Sequence, residues 1–312
     1  MRIQTPQSGV FEKKLRLEHE ALAKPSWMKI HPPSSHKYAD IQKLLKEKKL
    51  NTVCAEARCP NINECWSSGT ATFMILGDTC TRACRFCMVK SGNPNKKIDP
   101  EEPQNLVKAV EIINLSYAVI TCVTRDDLED GGAQHFANCV KALKKAHPKL
   151  RIELLISDLN GNTAALQTIL NAGPDVLGHN LETVEKMQKE VRDPRANYKK
   201  SLKILRESKK IAPEIYTKTS LMLGLGETEK EIVKTMKDAR ENGVDIITFG
   251  QYLRPSPYHL PIKEYIPPAK FKKYKEIAKK MGFLYCASGP FVRSSYRAGE
   301  NFIKSQNAAR KI

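Results

Sequence analysis

The chain has 312 residues, with 52 Lys and Arg against 34 Asp and Glu, a net charge of +18 and a hydrophobic share of 41%. This composition is globular, excludes a disordered or fibrous chain, and is long enough for a large core. No apolar stretch suits a membrane span, the first residues lack the apolar segment of a secretory signal, and the early acids Glu12, Glu18 and Glu20 argue against a transit peptide. A soluble, cytoplasmic protein without membrane contact is therefore expected. The positive charge has two readings: solvated helix faces, such as the Lys-rich run 43–49, or an acidic partner, either nucleic acid or protein.

In chain order, residues 1–70 form a basic N-terminal extension containing a first cysteine triplet, Cys54, Cys59 and Cys65. The short apolar run 72–77 reads as a strand, and a second triplet, Cys80, Cys84 and Cys87, follows at once. A helix is predicted over 103–114, with apolar residues at 106, 107, 109, 110, 112 and 113 and Pro103 suited to its first turn. Strands are predicted at 117–124, 151–157, 175–180, 215–223 and 245–253, rich in β-branched residues and bounded by turn residues. Helices are predicted at 136–145 and 228–240, the second opening on Thr228 and acids. Six strands alternating with helices predict an α/β fold with a parallel sheet, as a closed or partial barrel over residues 71–290; an open doubly wound sheet would give the same alternation. Residues 291–312 are read as a short C-terminal tail. The strand ends are unusually polar: Cys80–Cys87, Thr124–Asp127, Ser157–Asp158, His179–Asn180 and Gly224–Glu227. In such folds those ends carry the site.

Nine cysteines, six of them clustered, read as metal ligands in a reducing compartment rather than as disulfides. Cys80-Thr-Arg-Ala-Cys84-Arg-Phe-Cys87 has the spacing CxxxCxxC. A [4Fe–4S] cluster normally takes four ligands, so three thiolates leave one iron open. Zinc is the competing reading, but its sites usually recruit four ligands, often in two pairs, and the loop contains no fourth Cys or His.

A CxxxCxxC loop directly after a first strand, with Phe86 before the last cysteine, resembles the radical S-adenosylmethionine (SAM) superfamily. The resemblance implies a partial (β/α)6 barrel and a cluster whose open iron chelates SAM, so that reductive cleavage gives a 5′-deoxyadenosyl radical. The first triplet, spaced CxxxxCxxxxxC, resembles the lipoyl synthase family. So do Cys59-Pro-Asn, Thr124-Arg-Asp-Asp-Leu-Glu-Asp-Gly-Gly132, His179-Asn-Leu-Glu-Thr183, the segment 192–198 and Arg293-Ser-Ser-Tyr296, over residues 25–300. This implies two [4Fe–4S] clusters: one on Cys80, Cys84 and Cys87, and an auxiliary one on Cys54, Cys59, Cys65 and a serine, carried over to Ser295 rather than Ser294. A serine oxygen is a harder partner for iron than a thiolate, which suits a cluster that is consumed as the sulfur source.

SAM contacts are expected at Thr124, at Asn180 and Glu182, at Arg192 or Arg195 for the carboxylate, and at Gly224–Gly226 for adenine. Cys122, Cys139 and Cys286 read as packing residues. His179 either touches SAM or finishes its strand, and Trp66 reads as a lid over the auxiliary cluster. The implied activity inserts sulfur at carbons 6 and 8 of an octanoyl group, with two SAM consumed per product. The implied partners are octanoylated lipoyl carrier domains (a 2-oxoacid dehydrogenase acyltransferase subunit and the glycine-cleavage H protein), a reductant such as ferredoxin or flavodoxin, and an iron–sulfur carrier that rebuilds the cluster. The alternative is a radical SAM tRNA methylthiotransferase, whose first triplet is more widely spaced and whose C-terminal RNA-binding β domain has no counterpart here. A non-catalytic two-cluster electron carrier would need neither a polar-rimmed barrel nor an open iron. No nucleic-acid partner is expected.

Overall fold

A sheet of eight strands organises the chain, and the computed structural model describes residues 22–29, 43, 47, 50–52, 59, 61–67 and 72–298. The strands are β1 (Asn51–Thr52), β2 (Thr72–Ile75), β5 (Tyr117–Cys122), β6 (Arg151–Leu155), β7 (Val176–Gly178), β8 (Tyr216–Leu223), β9 (Ile246–Gln251) and β10 (Tyr285–Ser288). They lie in that order. β1 runs antiparallel to β2, and every other neighbouring pair is parallel. Among the described residues no pairing joins β10 back to β1, so the sheet is a partial barrel. A small parallel pair, β3 (Thr79–Cys80) and β4 (Lys90–Ser91), stands apart and brackets the second cysteine triplet.

The helices are α1 (Ile62–Ser67), α2 (Glu102–Ile113), α3 (Ala133–Ala146), α4 (Thr163–Leu170), α5 (Gln188–Val191), α6 (Tyr198–Ile211), α7 (Glu229–Glu241) and α8 (Pro268–Lys280). The three helices read from sequence form, with the expected local signals. Pro103 occupies the first turn of α2. Thr228 and Glu231 close a reciprocal capping box on α7, which satisfies two N–H groups that the helix cannot pair internally.

All six predicted strands form, and the structure adds β10 as a seventh parallel strand. Four residues, Tyr-Cys-Ala-Ser, are too few to show a period, and they become a strand by pairing residue for residue with β9. α8 is similarly cryptic: its Lys-rich sequence buries only Phe271, Tyr274 and Ala278, a sparse stripe at helical spacing.

The outer faces of the strands meet the helices in two apolar cores. One gathers Phe73, Ile75, Ile120, Leu106, Phe136 and Val140. The other gathers Leu221, Leu223, Met236, Phe249, Phe271 and Tyr274. Phe136 is fully buried, so its truncation to Ala would cost about 3–5 kcal/mol. Cys139 and Cys286 belong to these cores, as expected from sequence.

The inner face has period-2 alternation but polar contents. Deep in the barrel, Lys218 of β8 donates to Glu153 of β6 at 2.7 Å, and the Tyr117 hydroxyl donates to the same carboxylate at 2.7 Å. Both charged side chains are only 3% exposed. Burial and then the Glu153 charge push the Tyr117 hydroxyl well above its ordinary pKa. One layer up, Thr248 donates to Ser220 at 2.8 Å.

His179 closes β7 and is enclosed: Nδ1 lies 2.9 Å from the Ile156 carbonyl and Nε2 lies 2.8 Å from Ser201 Oγ. A carbonyl only accepts, so Nδ1 carries the proton and Nε2 accepts from Ser201. Burial depresses its pKa from 6.5 to about 4. His179 therefore fastens the strand end to α6 as a neutral ring.

Removing one partner of the interior pair leaves a buried charge, so Lys218→Met alone should lower stability by about 3–5 kcal/mol in urea unfolding, whereas Lys218→Met with Glu153→Leu should cost less. A double variant at least as unstable as the single one would contradict this account. For His179, the unfolded chain binds a proton near pH 6.5 while the folded ring stays neutral until about pH 4, so stability falls as pH drops through that window. The loss attributable to His179 is roughly 2 kcal/mol between about pH 7.5 and pH 5, and His179→Gln should flatten the profile by that amount. Parallel profiles for the two proteins would rule it out.

Candidate functional site

At the C-terminal ends of the strands opens a cavity of about 580 Å³. Its wall contains Cys59 and Cys65 of the first triplet and Cys80, Cys84 and Cys87 of the second. Arg293, Ser294, Ser295 and Tyr296 of the tail complete the same wall. Cys54 lies outside the described residues, as does the side chain of Trp66.

The second triplet sits on the segment that follows β2, with Cys80 ending β3, and is held by buried ion pairs. Arg82 is the hub. Its guanidinium donates to Asp126 through Nε and Nη2, both at 2.9 Å, and to Asp158 through Nη1 at 2.9 Å and Nη2 at 2.7 Å. Nη2 also meets Asn160 Oδ1 at 2.9 Å. The side chain is 4% exposed, so these are buried, charge-assisted bonds. Burial opposes the charge, but the hydrogen bonds and charges of Asp158 and Asp126 together outweigh it and hold the guanidinium more firmly protonated.

A second clamp grips the residues on either side of Arg82. Asp193 accepts from the Ala83 N–H at 2.9 Å and from Arg195 Nε at 2.8 Å, while Arg195 Nη2 donates to the Thr81 carbonyl at 2.6 Å. The Arg195 hydrogen bond holds the Asp193 carboxyl well below the usual range. Arg195, expected as one of two candidates for the SAM carboxylate, is engaged within this clamp. The guanidinium is already neutralised by Asp193 and Asp126, is half exposed, and lies outside the cavity wall. On the far side of the loop, His259 Nε2 lies 3.0 Å from the Cys87 carbonyl.

The donor set fits an iron–sulfur cluster. Three soft sulfurs from one loop face the cavity, each partly exposed. The Arg82 N–H points at Cys80 Sγ at 3.4 Å and the Asp193 N–H at Cys84 Sγ at 3.3 Å, contacts that favour sulfur carrying negative charge. Burial pushes the Cys84 thiol up and takes Cys87 to about 12. The protein alone therefore keeps these groups protonated, and a bound cation would be required to hold them as thiolates.

The remaining predicted contacts divide. Thr124, Asn180, Glu182 and Arg192 all line the cavity. Asn180 Nδ2 donates to Glu182 Oε1 at 3.1 Å, and burial pushes the Glu182 carboxyl up despite Arg192 and Asn180. Glu182 adopts φ +66° and is pinned on β8: its N–H donates to Ser220 O and its carbonyl accepts from the Met222 N–H. Arg192 donates to Ser201 Oγ at 2.9 Å, which joins it to the His179 chain. Gly224 and Gly226 do not line the cavity. A Cβ at Gly224, where φ is +98°, would collide with the Glu264 carbonyl, so chain packing requires the glycine there. Cys122, read as a packing residue, is also part of the cavity wall, its thiol pushed to about 12 by burial.

The tail reaches the first triplet through contacts invisible from sequence. Asn61 Nδ2 donates to the Phe291 carbonyl at 2.6 Å. Tyr296 OH donates to Glu64 of α1 at 3.1 Å, and Arg297 Nη2 pairs with Glu64 at 2.6 Å. Gly250 admits this strand of tail, since a Cβ there would collide with the Val292 carbonyl. Arg293 donates to Val292 O at 2.7 Å, and its charge opposes the burial that raises the Cys59 pKa. Ser294 and Ser295 both face the cavity. Asp126 and Asp158 lie in the polar strand ends, and Asn61 and Asp193 in the motifs, that the sequence singled out. His259 and Gly250 carried no local sign of their roles.

A family model of the radical SAM superfamily matches residues 74–239, and one for the N-terminal domain of lipoyl synthase matches residues 4–59. A lipoyl synthase of Deinococcus radiodurans is 52% identical over 275 residues, covering 88% of this chain and 83% of its own. One from Thermus thermophilus is 50% identical, covering 90% and 87%. Similar proteins include mitochondrial and apicoplast forms; the chain spans 56% of the length of the Plasmodium yoelii yoelii apicoplast lipoyl synthase. The solved structure of a methylornithine synthase shares the fold, with a TM-score of 0.55 at 14% identity over 88% of this chain and 81% of that one. With a superfamily model over more than half its length and relatives at half identity over most of both chains, this chain belongs to the lipoyl synthase family of the radical SAM superfamily.

Proposed function

We propose that this chain inserts two sulfur atoms, at carbons 6 and 8, into an octanoyl group carried by a lipoyl carrier domain. One observation carries the reading: cysteines of both triplets and the serines of the tail line a single cavity. Carbons 6 and 8 bear unactivated C–H bonds that no side-chain base can deprotonate, so a radical initiator and a sulfur source must share one enclosure. Cys80, Cys84 and Cys87 would hold the initiating cluster, and Cys54, Cys59, Cys65 and Ser295 the auxiliary one. When bound, the first supplies the deoxyadenosyl radical from SAM and the second supplies sulfur, with two SAM consumed per product.

The chain's own residues do the rest. Asn180, Glu182, Arg192 and Thr124 are positioned to meet the polar groups of SAM. Met74, Leu155, Met222 and Tyr252 give the cavity apolar wall on which an alkyl chain can lie with water excluded. Arg82 and Asp193 hold the cluster loop against two strand ends, so that distances between reacting groups are preset. The charge of +18 suits docking of acidic carrier domains, such as those of 2-oxoacid dehydrogenases or the glycine-cleavage H protein, and of a small acidic reductant such as ferredoxin or flavodoxin. An iron–sulfur carrier would restore the auxiliary cluster. Among the described residues no helix is long and apolar enough to cross a membrane. The cytoplasm is our proposal for the compartment. Nothing in the site favours the tRNA methylthiotransferase alternative, and the matched relatives are lipoyl synthases.

Reconstituted protein with reductant, SAM and an octanoylated carrier peptide should yield 5′-deoxyadenosine and a peptide heavier by two sulfur atoms; methylthio groups on tRNA with unchanged peptide would refute the reading. Cys59→Ala should abolish sulfur insertion while deoxyadenosine still forms, and loss of both activities would deny the clusters separate roles. Arg82→Met removes the ion pair of Asp158 and leaves Asp126 paired with Arg195 alone, and should lower deoxyadenosine formation on the order of a hundredfold. A rate within about twofold of the parent would show that the clamp is dispensable.

A further inference from the structure

The segment Thr124–Gly132 carries nine residues, of which only Thr124 lines the cavity. Where the others point is informative. The cluster loop leaves β2 through Leu76 and Gly77, with φ of +68° and +91°. For a bulky residue such as leucine a positive φ is strained and persists only where the surroundings enforce it. Here both polar groups of Leu76 are held. Its N–H donates to Glu102 Oε2 at 2.8 Å, and its carbonyl accepts from Arg125 Nη1 at 3.1 Å.

Each holder is itself fixed and buried. Glu102 is 5% exposed, and its Oε2 also lies 2.6 Å from His135 Nε2. Arg125 is fully buried, pairs with both oxygens of Asp127 at 2.8 Å, and donates to the Lys97 carbonyl at 2.8 Å. The Leu76 side chain lies over Gly132, where any Cβ would collide with it. Asp130 accepts from the N–H groups of Gly132 and Gln134, both at 2.8 Å, which sets the start of α3 beneath the leucine. The same segment also holds the loop beyond Cys80: the Thr124 carbonyl accepts from the Thr81 N–H at 2.9 Å, and Asp126 pairs with Arg82. A run of charged residues at a strand end thus faces the back of the cluster loop at two points on either side of Cys80.

We propose that Glu102 and Arg125 are positioning residues for the cluster held by Cys80, Cys84 and Cys87, acting by fixing the left-handed Leu76 peptide from which the loop departs. This rests on the reading of that loop as the initiating cluster's. Residues 125–132 then form a template for the loop. If the Leu76 peptide relaxes toward negative φ, the chain beyond it is redirected and the Cys80 sulfur leaves its place on the cavity wall.

The test compares Glu102→Leu, which leaves the Leu76 N–H without its acceptor, with Glu102→Gln, which keeps one. Each reconstituted protein is reduced, its electron paramagnetic resonance spectrum is recorded with and without SAM, and its iron is counted. In Glu102→Leu the SAM-responsive signal should fall at least about tenfold while roughly four irons per chain, those of the auxiliary cluster, remain. Glu102→Gln should restore the signal. A parent-like SAM-responsive signal in Glu102→Leu overturns the proposal, and so does equal loss of both clusters in the two variants, which would mark a merely structural role. Hydrogen exchange at the Leu76 amide of the parent chain gives a second arm that does not depend on a variant folding: slow exchange supports the proposal and rapid exchange overturns it. If the parent shows the SAM-responsive signal yet leaves an octanoylated peptide unchanged, the functional reading fails and this proposal stands.

Discussion

A single buried guanidinium sets the geometry on which the rest of the site depends. Arg82 is placed between Cys80 and Cys84, and its only route to stability below the surface is to find carboxylates. It finds Asp126 from the loop after β5 and Asp158 from the loop after β6. Because strands β2, β5 and β6 are neighbours in the sheet, their C-terminal ends lie side by side, and one charged group can tie all three. The parallel order of the strands is thus the precondition for the clamp, and the clamp fixes where the three thiols face.

The auxiliary side is assembled differently. Cys59, Ile62 and Cys65 pack against the first core of the barrel, and the tail adds a second hold, through Asn61 with Phe291 and Glu64 with Tyr296 and Arg297. These contacts span some 230 residues of chain and the Glu64 pairs are half exposed, so individually each contributes little. Their effect is to hold a lightly built wall beside a rigid one. That contrast suits the proposed chemistry, in which one cluster is kept and the other is dismantled. The buried pair of Lys218 and Glu153 lies deeper in the barrel, and there the polar groups are fully mutually satisfied and part of the fold.

Much of this was legible in the sequence, for identifiable reasons. Strands buried on both faces read as apolar β-branched runs, so all six predicted strands appear, as do helices with broad apolar stripes. The spacing of the second cysteine triplet was legible because the three residues are local in the chain. Helices α4 and α6 were not expected, although Asn162 and Asn197 cap them locally; the rest that remained hidden was non-local. β10 gains its conformation from β9, and α8 has too few apolar positions to declare itself. Arg192 and Arg195 were both candidates for the SAM carboxylate because a guanidinium fits one bidentately; that Arg195 meets Asp193 and Asp126 depends on how β5 and α5 end in space. Gly224 and Gly250 illustrate the same limit. Both are small because a distant carbonyl needs the room, and no local pattern reveals that.

On the proposed function the two cysteine sets are unequal halves of one cavity, one retaining its cluster and the other yielding it as reagent. Reconstitution with isotopically heavy sulfide, removal of free sulfide, and a single turnover on an octanoylated carrier peptide would measure this. Both sulfur atoms of the product should carry the heavy isotope, with about four irons per chain retained on the Cys80–Cys87 set. A product bearing unlabelled sulfur, or complete retention of the auxiliary cluster's iron and sulfide after turnover, would contradict it.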